Sequence, residues 1–177
     1  MEQLFGSCLV KWNNDALKAP ATDAEEPAEV PSCYTSIPLE ESLNDPNAYI
    51  AVLFTAEFAP PCVSFLQTFT AFCNEANKDP AKKKFEVLVV NCDRTEEEYK
   101  THIQKMHPAW YNIPFEATKV MERIEDVAKA STIPRVCVIK PSATLEEPIL
   151  SDIKPIILRN QNMEAAVKEL VEKLDKI

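Results

Sequence analysis

Six cysteines and two histidines carry most of the nucleophilic or metal-ligating chemistry this 177-residue chain could offer: Cys8, Cys33, Cys62, Cys73, Cys92 and Cys137, with His102 and His107. No two of the cysteines form a C-x-x-C pair, and two histidines among unpaired cysteines give no tetrahedral ligand spacing, so no metal site and no cofactor are expected. The single glycine, Gly6, excludes a phosphate-cradling glycine loop. No serine, histidine and acid fall into an arrangement that proposes hydrolysis. Thiol chemistry remains, and its strength depends on where each sulfur sits. Cys62 follows Pro60-Pro61 at the opening of a helical pattern, and Cys92 follows an apolar run, at the carboxyl end of an expected strand, where α/β sheets gather their sites. Cys73 falls on the apolar face of the Cys62 helix and Cys137 inside a strand run, so both read as small core hydrophobes.

The elements that must position these thiols are legible from hydrophobic period. Residues 49–54 and 85–90 are continuous apolar runs of strand length, which predicts buried central strands; residues 136–139 form a third and residues 155–158 a weaker one. Between them the period changes to 3.6. Cys62, Phe65, Leu66, Phe69, Phe72, Cys73 and Ala76 share one helical face, with Pro60 and Pro61 in the first turn, where their missing N–H groups cost nothing. Thr95 with Glu98 reads as a capping box ahead of the stripe Tyr99, Ile103 and Met106. A third helix is expected around Val120, Met121, Ile124, Val127 and Ala128, and a last one after Asn162 as N-cap, with Met163, Val167, Leu170, Val171 and Leu174 inward. Strands alternating with helices predict an α/β fold, a central mixed sheet flanked by helices. Residues 4–12 are a short apolar segment, and residues 16–32 crowd proline and glutamate where there is little to bury, which predicts an extended linker. The expected division is an N-terminal extension over 1–35 and one domain over 36–177.

Composition narrows the partners. A net charge of −9 and a pI near 4.8 argue against nucleic acid, since such binding draws on a basic patch. The run Lys82, Lys83 and Lys84 reads as a solvated loop tip. There is no apolar stretch of membrane-spanning length, and the first twelve residues lack the basic start and apolar middle of a secretory signal. A reducing, cytoplasmic compartment and free thiols are therefore expected; a cytoskeletal or ciliary setting is compatible with this, but no residue argues for it.

The segment Phe54-Thr55-Ala56-Glu57-Phe58-Ala59-Pro60-Pro61-Cys62 resembles the F-S-A-S-W-C-P-P-C motif of the tryparedoxin and nucleoredoxin group of the thioredoxin-like superfamily. Its context agrees: residues 85–93 with Arg94 and Glu96 resemble the strand ending in S-S-D-x-D-E, and Lys105, Met106 and residues 110–115 resemble K-M-P-W-L-A-L-P-F. Thr132-Ile133-Pro134 is similar to the loop carrying the family's cis-proline, so Ile133 and Pro134 are expected beside the active site. The resemblance covers about residues 36–138 and implies a thioredoxin-like fold.

It also implies a defect. The family's chemistry needs a first thiol that attacks a disulfide and a second that resolves the mixed disulfide. Ala59 stands at the attacking position and Cys62 at the resolving one, giving a degenerate A-P-P-C site flanked by Phe58, where the family has tryptophan. No catalytic residue is expected for two-thiol turnover. Cys92 is the candidate second thiol, subject to a geometry the sequence does not contain. Arg135, where the family has threonine, reads as a solvated loop arginine. The function expected is therefore a non-catalytic, protein-binding or structural subunit of a larger assembly, with protein partners. The alternative is a thiol-disulfide oxidoreductase using Cys62 as a monothiol, and a weaker third is a groove around Phe58, Ile133 and Trp110 that holds peptides without chemistry.

Overall fold

A computed structural model describes residues 5–12, 34–43, 45–140 and 148–177. In chain order the elements are β1 (Cys8–Trp12), β2 (Tyr34–Pro38), β3 (Tyr49–Thr55), α1 (Pro60–Ala76), β4 (Phe85–Asn91), α2 (Glu96–Lys105), β5 (Tyr111–Asn112), α3 (Thr118–Ala128), β6 (Arg135–Ile139), α4 (Lys154–Arg159) and α5 (Met163–Leu174). The strands form one mixed sheet in the order β2-β1-β5-β4-β3-β6. The two continuous apolar runs pair at its centre: β3 and β4 run parallel, Ala51 opposite Val87 and Thr55 opposite Asn91, while β6 lies antiparallel against β3.

Both faces of this centre are covered, which is why its strands read as unbroken apolar runs. Ala51, Leu53, Phe85, Val87 and Val89 point to one face and pack with Phe65, Leu66, Phe69 and Phe72 of α1, Ile156 of α4 and Leu170 of α5. Ile50, Val52, Phe54, Leu88 and Val90 point to the other and pack with Ile124 and Ala128 of α3. Tyr99 and Ile103 of α2 pack separately with Val10 of β1. Among the described residues no helix is long and apolar enough to cross a membrane.

Two expectations are corrected. Residues 155–158, read as a weak strand, belong to helix α4. Ile153, Ile156 and Ile157 are buried at i, i+3 and i+4, while Leu158 is exposed; in a strand Ile156 and Leu158 would share a face. Four apolar residues are too few for period to decide between the two. The segment at residues 8–12, placed in an extension, is β1, hydrogen-bonded between β2 and β5 and burying Leu9 and Val10. The boundary drawn at 35/36 thus falls within β2, inside the sheet. The expected linker at 16–32 lies outside the described residues.

Candidate functional site at the head of helix α1

The site is built where β3 ends and α1 begins, at the carboxyl edge of the parallel strand pair. Ala59 is the N-cap of α1, with φ −100° and ψ 105° and no side-chain cap, and prolines fill the next two positions. The first amides after the prolines, those of Cys62 and Val63, donate to Ala59 O at 2.9 and 3.2 Å. A side chain at residue 59 would meet the positive end of the helix dipole, where a thiolate is stabilised; alanine brings no ionisable atom there. Residue 59 is partly exposed, but Cys62 is only 1% exposed. Burial pushes the Cys62 thiol up, partly offset by hydrogen bonds from the Ala56 backbone and the Thr55 hydroxyl; Asp93 adds to the rise and Lys154 opposes it.

Around this head the surface is apolar. Phe58 is 43% exposed, with the Arg94 guanidinium 4.7 Å above its ring, and Val63 and Leu158 are exposed nearby in sequence or packing. A groove of about 300 Å³ lies between Pro61, Ser64, Phe65 and Thr68 of α1, Pro134, and Lys154 and Leu158 of α4. The Ile133–Pro134 peptide bond is cis, and Pro134 O accepts from Lys154 Nζ at 2.9 Å. Arg135 Nε donates to Ser151 O at 3.0 Å. Trp110 does not join Phe58 and Ile133 in a groove: it is buried, its ring 5.3 Å from that of Phe69.

Cys92 sits one residue beyond β4 on the face covered by α3. Its Sγ lies 3.6 Å from Glu125 Oε1 and 3.8 Å from Val90 O, and its amide donates to Thr55 O at 2.8 Å. Burial first, and then the Glu125 carboxylate, push its thiol up to about 12, so it is a protonated donor at neutral pH. The Cys62 and Cys92 sulfurs flank the end of β3 from opposite faces of the sheet, close enough that charge on Cys62 raises Cys92 further. Cys73 and Cys137 are buried, Cys73 among apolar side chains; burial pushes both up, Cys137 to about 12.

Beneath Cys62 lies a constellation that sequence reading passed over. Thr55 Oγ1, next to the Cys62 sulfur, is 3.5 Å from His102 Nε2; His102 Nδ1 is 3.0 Å from Asp93 Oδ2; Asp93 Oδ1 accepts from the Glu57 amide at 2.7 Å. Asn91 Oδ1 accepts from the Asp93 amide at 2.9 Å. His102 and Asp93 are fully buried side chains. Two groups approach His102 Nδ1, the Asp93 carboxylate at 3.0 Å and Asn91 Nδ2 at 3.3 Å. The charge-assisted bond is shorter and stronger, so Nδ1–H donates to Asp93 and Nε2 keeps its lone pair toward Thr55. A hydroxyl, an imidazole and a carboxylate are thus in line, the hydroxyl being that of a buried threonine. The signal was present: His102 falls three residues after Tyr99, on the stripe that buries α2.

With fold and site in hand, comparison with known proteins is direct. Residues 47–145 match the model of a family described as thioredoxin-like, and the chain belongs to that family. Among curated relatives it is 24% identical to nucleoredoxin from Xenopus laevis over 102 residues, 58% of this chain and 24% of that one. It is 26% identical to nucleoredoxin from Mus musculus over 101 residues, 57% and 22% of the two chains. The chain therefore spans about a quarter of the length of these relatives. Among solved structures, tryparedoxin II from C. fasciculata is 25% identical with a TM-score of 0.59, covering 71% of this chain and 80% of that one. Native tryparedoxin I from Crithidia fasciculata, 18% identical with a TM-score of 0.59 over 71% and 80%, shares the fold.

Proposed function

We propose that this protein is a thioredoxin-like binding module that has given up two-thiol turnover and engages protein partners, as a subunit of a larger assembly. The observation that carries this reading is the pairing of Ala59, without a sulfur at the polarised head of α1, with Cys62, whose sulfur is buried. Cys92 does not replace the lost nucleophile, because Glu125 and burial keep it protonated and it faces α3. The exposed Phe58 and Val63, beside Pro60 and Pro61, offer apolar contact area without chemistry.

A second reading, a thiol-disulfide oxidoreductase working through Cys62 alone, draws support from the buried hydroxyl-imidazole-carboxylate chain beneath that sulfur and from the relatives' redox names. One assay separates the two: reduction of a general disulfide substrate by excess thiol, with native protein, Ala59→Cys and Cys62→Ala. The first reading expects an inert native protein and gain of turnover in Ala59→Cys. Native turnover that Cys62→Ala abolishes would overturn it.

A further inference from the structure

The end of the sheet opposite the Cys62 site holds a second concavity. It has a volume of about 340 Å³ and lies where the carboxyl-terminal part of α1 passes the first residues of β4 and the loop from α2 to β5. The length of β4, about 20 Å at about 3.3 Å per residue, separates it from the head of α1. Its apolar walls are Cys73, Phe85, Val87 and Trp110, all buried. Asn77 fixes the loop at its rim. Its Oδ1 accepts from the amides of Lys84 and Phe85 at 2.9 and 3.1 Å and its Nδ2 donates to Phe85 O at 2.8 Å, so the hollow is preformed rather than opened by a moving loop.

The polar groups at this cavity are weighted toward donors. Trp110 is 5% exposed, and among the described residues no acceptor meets its indole N–H, although a buried indole ordinarily finds one. That nitrogen is not among the sealed-off polar atoms, which are Glu57 Oε2 and Asn112 Oδ1, so the donor is reachable from the cavity that Trp110 lines. The His107 ring lies 6.0 Å from that of Trp110; its Nδ1 accepts from the Ala109 amide at 3.2 Å, which puts the proton of the neutral ring on Nε2. Lys83 gives one of its three N–H bonds to Glu86 Oε1 at 3.0 Å and keeps two. Glu86, whose charge would oppose an anion, is 5% exposed, held by Lys83 and by the Asp45 amide at 3.4 Å, and does not line the cavity. None of the described lining residues is acidic, in a chain with 28 acidic side chains and a net charge of −9. We propose that this cavity binds a small aryl carboxylate, with the ring against Phe85, Val87 and Trp110 and the carboxylate toward the indole N–H, His107 and Lys83. Its volume is at the lower end for ligand sites and suits one or two fused rings. Neither reading of the Cys62 site bears on this one.

The test follows the indole N–H resonance of Trp110 in the full chain, assigned with Trp12→Phe, as 2-naphthoate is added; 2-naphthamide is the uncharged match. The proposal expects a saturable shift with a Kd below about 1 mM and binding of the amide at least about fivefold weaker. Asn74→Phe, at an exposed position of α1 on the cavity's edge, should fill the entrance and abolish the shift. Lys83→Gln made together with Glu86→Gln, so that no carboxylate is left buried and unpaired, should weaken the acid at least about threefold and leave the amide unchanged. An indole resonance that stays put up to about 5 mM naphthoate overturns the proposal. So does equal binding of acid and amide, or a shift that survives Asn74→Phe. The comparison of acid with amide is made on the native protein and depends on no variant's folding.

Discussion

Asp93 is the residue on which most of the site depends, because it holds two elements at once. One oxygen takes the amide of Glu57, fixing the loop that carries Phe58 and Ala59, and the other takes His102 of α2. Asp93→Ala would leave a buried imidazole N–H and a backbone N–H without acceptors, and its cost should be about 3 kcal/mol or more. Asp93→Asn keeps an oxygen for Glu57 and loses only the charge-assisted bond, so it should cost clearly less. Equilibrium denaturation of the three proteins checks the order, and equal losses would mean that the carboxylate is not the anchor. Little of this was legible in the sequence. Thr55, Asp93 and His102 each have an ordinary local explanation, and their meeting depends on β3 and β4 pairing in register and on the rotation of α2, which no spacing along the chain encodes.

Elements were legible where the signal was local. Thr95 accepts from the Glu98 amide at 3.2 Å and Glu98 Oε2 accepts from the Thr95 amide at 3.3 Å, the reciprocal cap its spacing predicts. Asn162 caps α5 through the Ala165 amide at 2.8 Å. Helix α4 was not legible, and what holds it is partly non-local: Glu169 of α5 binds Arg159 and accepts from Asn160 Nδ2 at 3.0 Å, with Lys173 at 3.3 Å. These hydrogen bonds, Asn160's first, hold the Glu169 carboxyl down to about 2. A depressed carboxyl contributes stability that is present above its ordinary value near about 4.3 and lost as pH falls toward 2. Glu169→Gln should therefore lower stability slightly at neutral pH and flatten the acid limb of the unfolding curve between about pH 4 and 2. An acid limb identical to that of the native protein would show that the contact between α4 and α5 rests on apolar packing alone.

At the scale of the whole molecule, the question is how the N-terminal segment comes to be part of the domain. Strand β1 sits between β2 and β5, and Phe5 and Leu9 are buried in the core under α3. What aims the segment is Gly6, which turns the chain between Phe5 and β1 with φ +79°, a conformation that costs an L-residue about 1–2 kcal/mol. A Cβ there would also meet Val120 Cγ2 of α3 at 3.2 Å. The two effects can be separated, because Val120→Ala removes the close contact and leaves the backbone as it is. If backbone conformation dominates, Gly6→Ala should lose about 1–2 kcal/mol and Val120→Ala should not restore it in the double variant. Recovery in the double variant would instead assign the cost to the contact with α3. Either route makes the chain's single glycine a joint between its first strand and the helix layer, and predicts that Gly6→Ala loosens β1 before it disturbs the Cys62 site, visible as faster amide exchange at Leu9 and Val10 than at Val52 and Leu53.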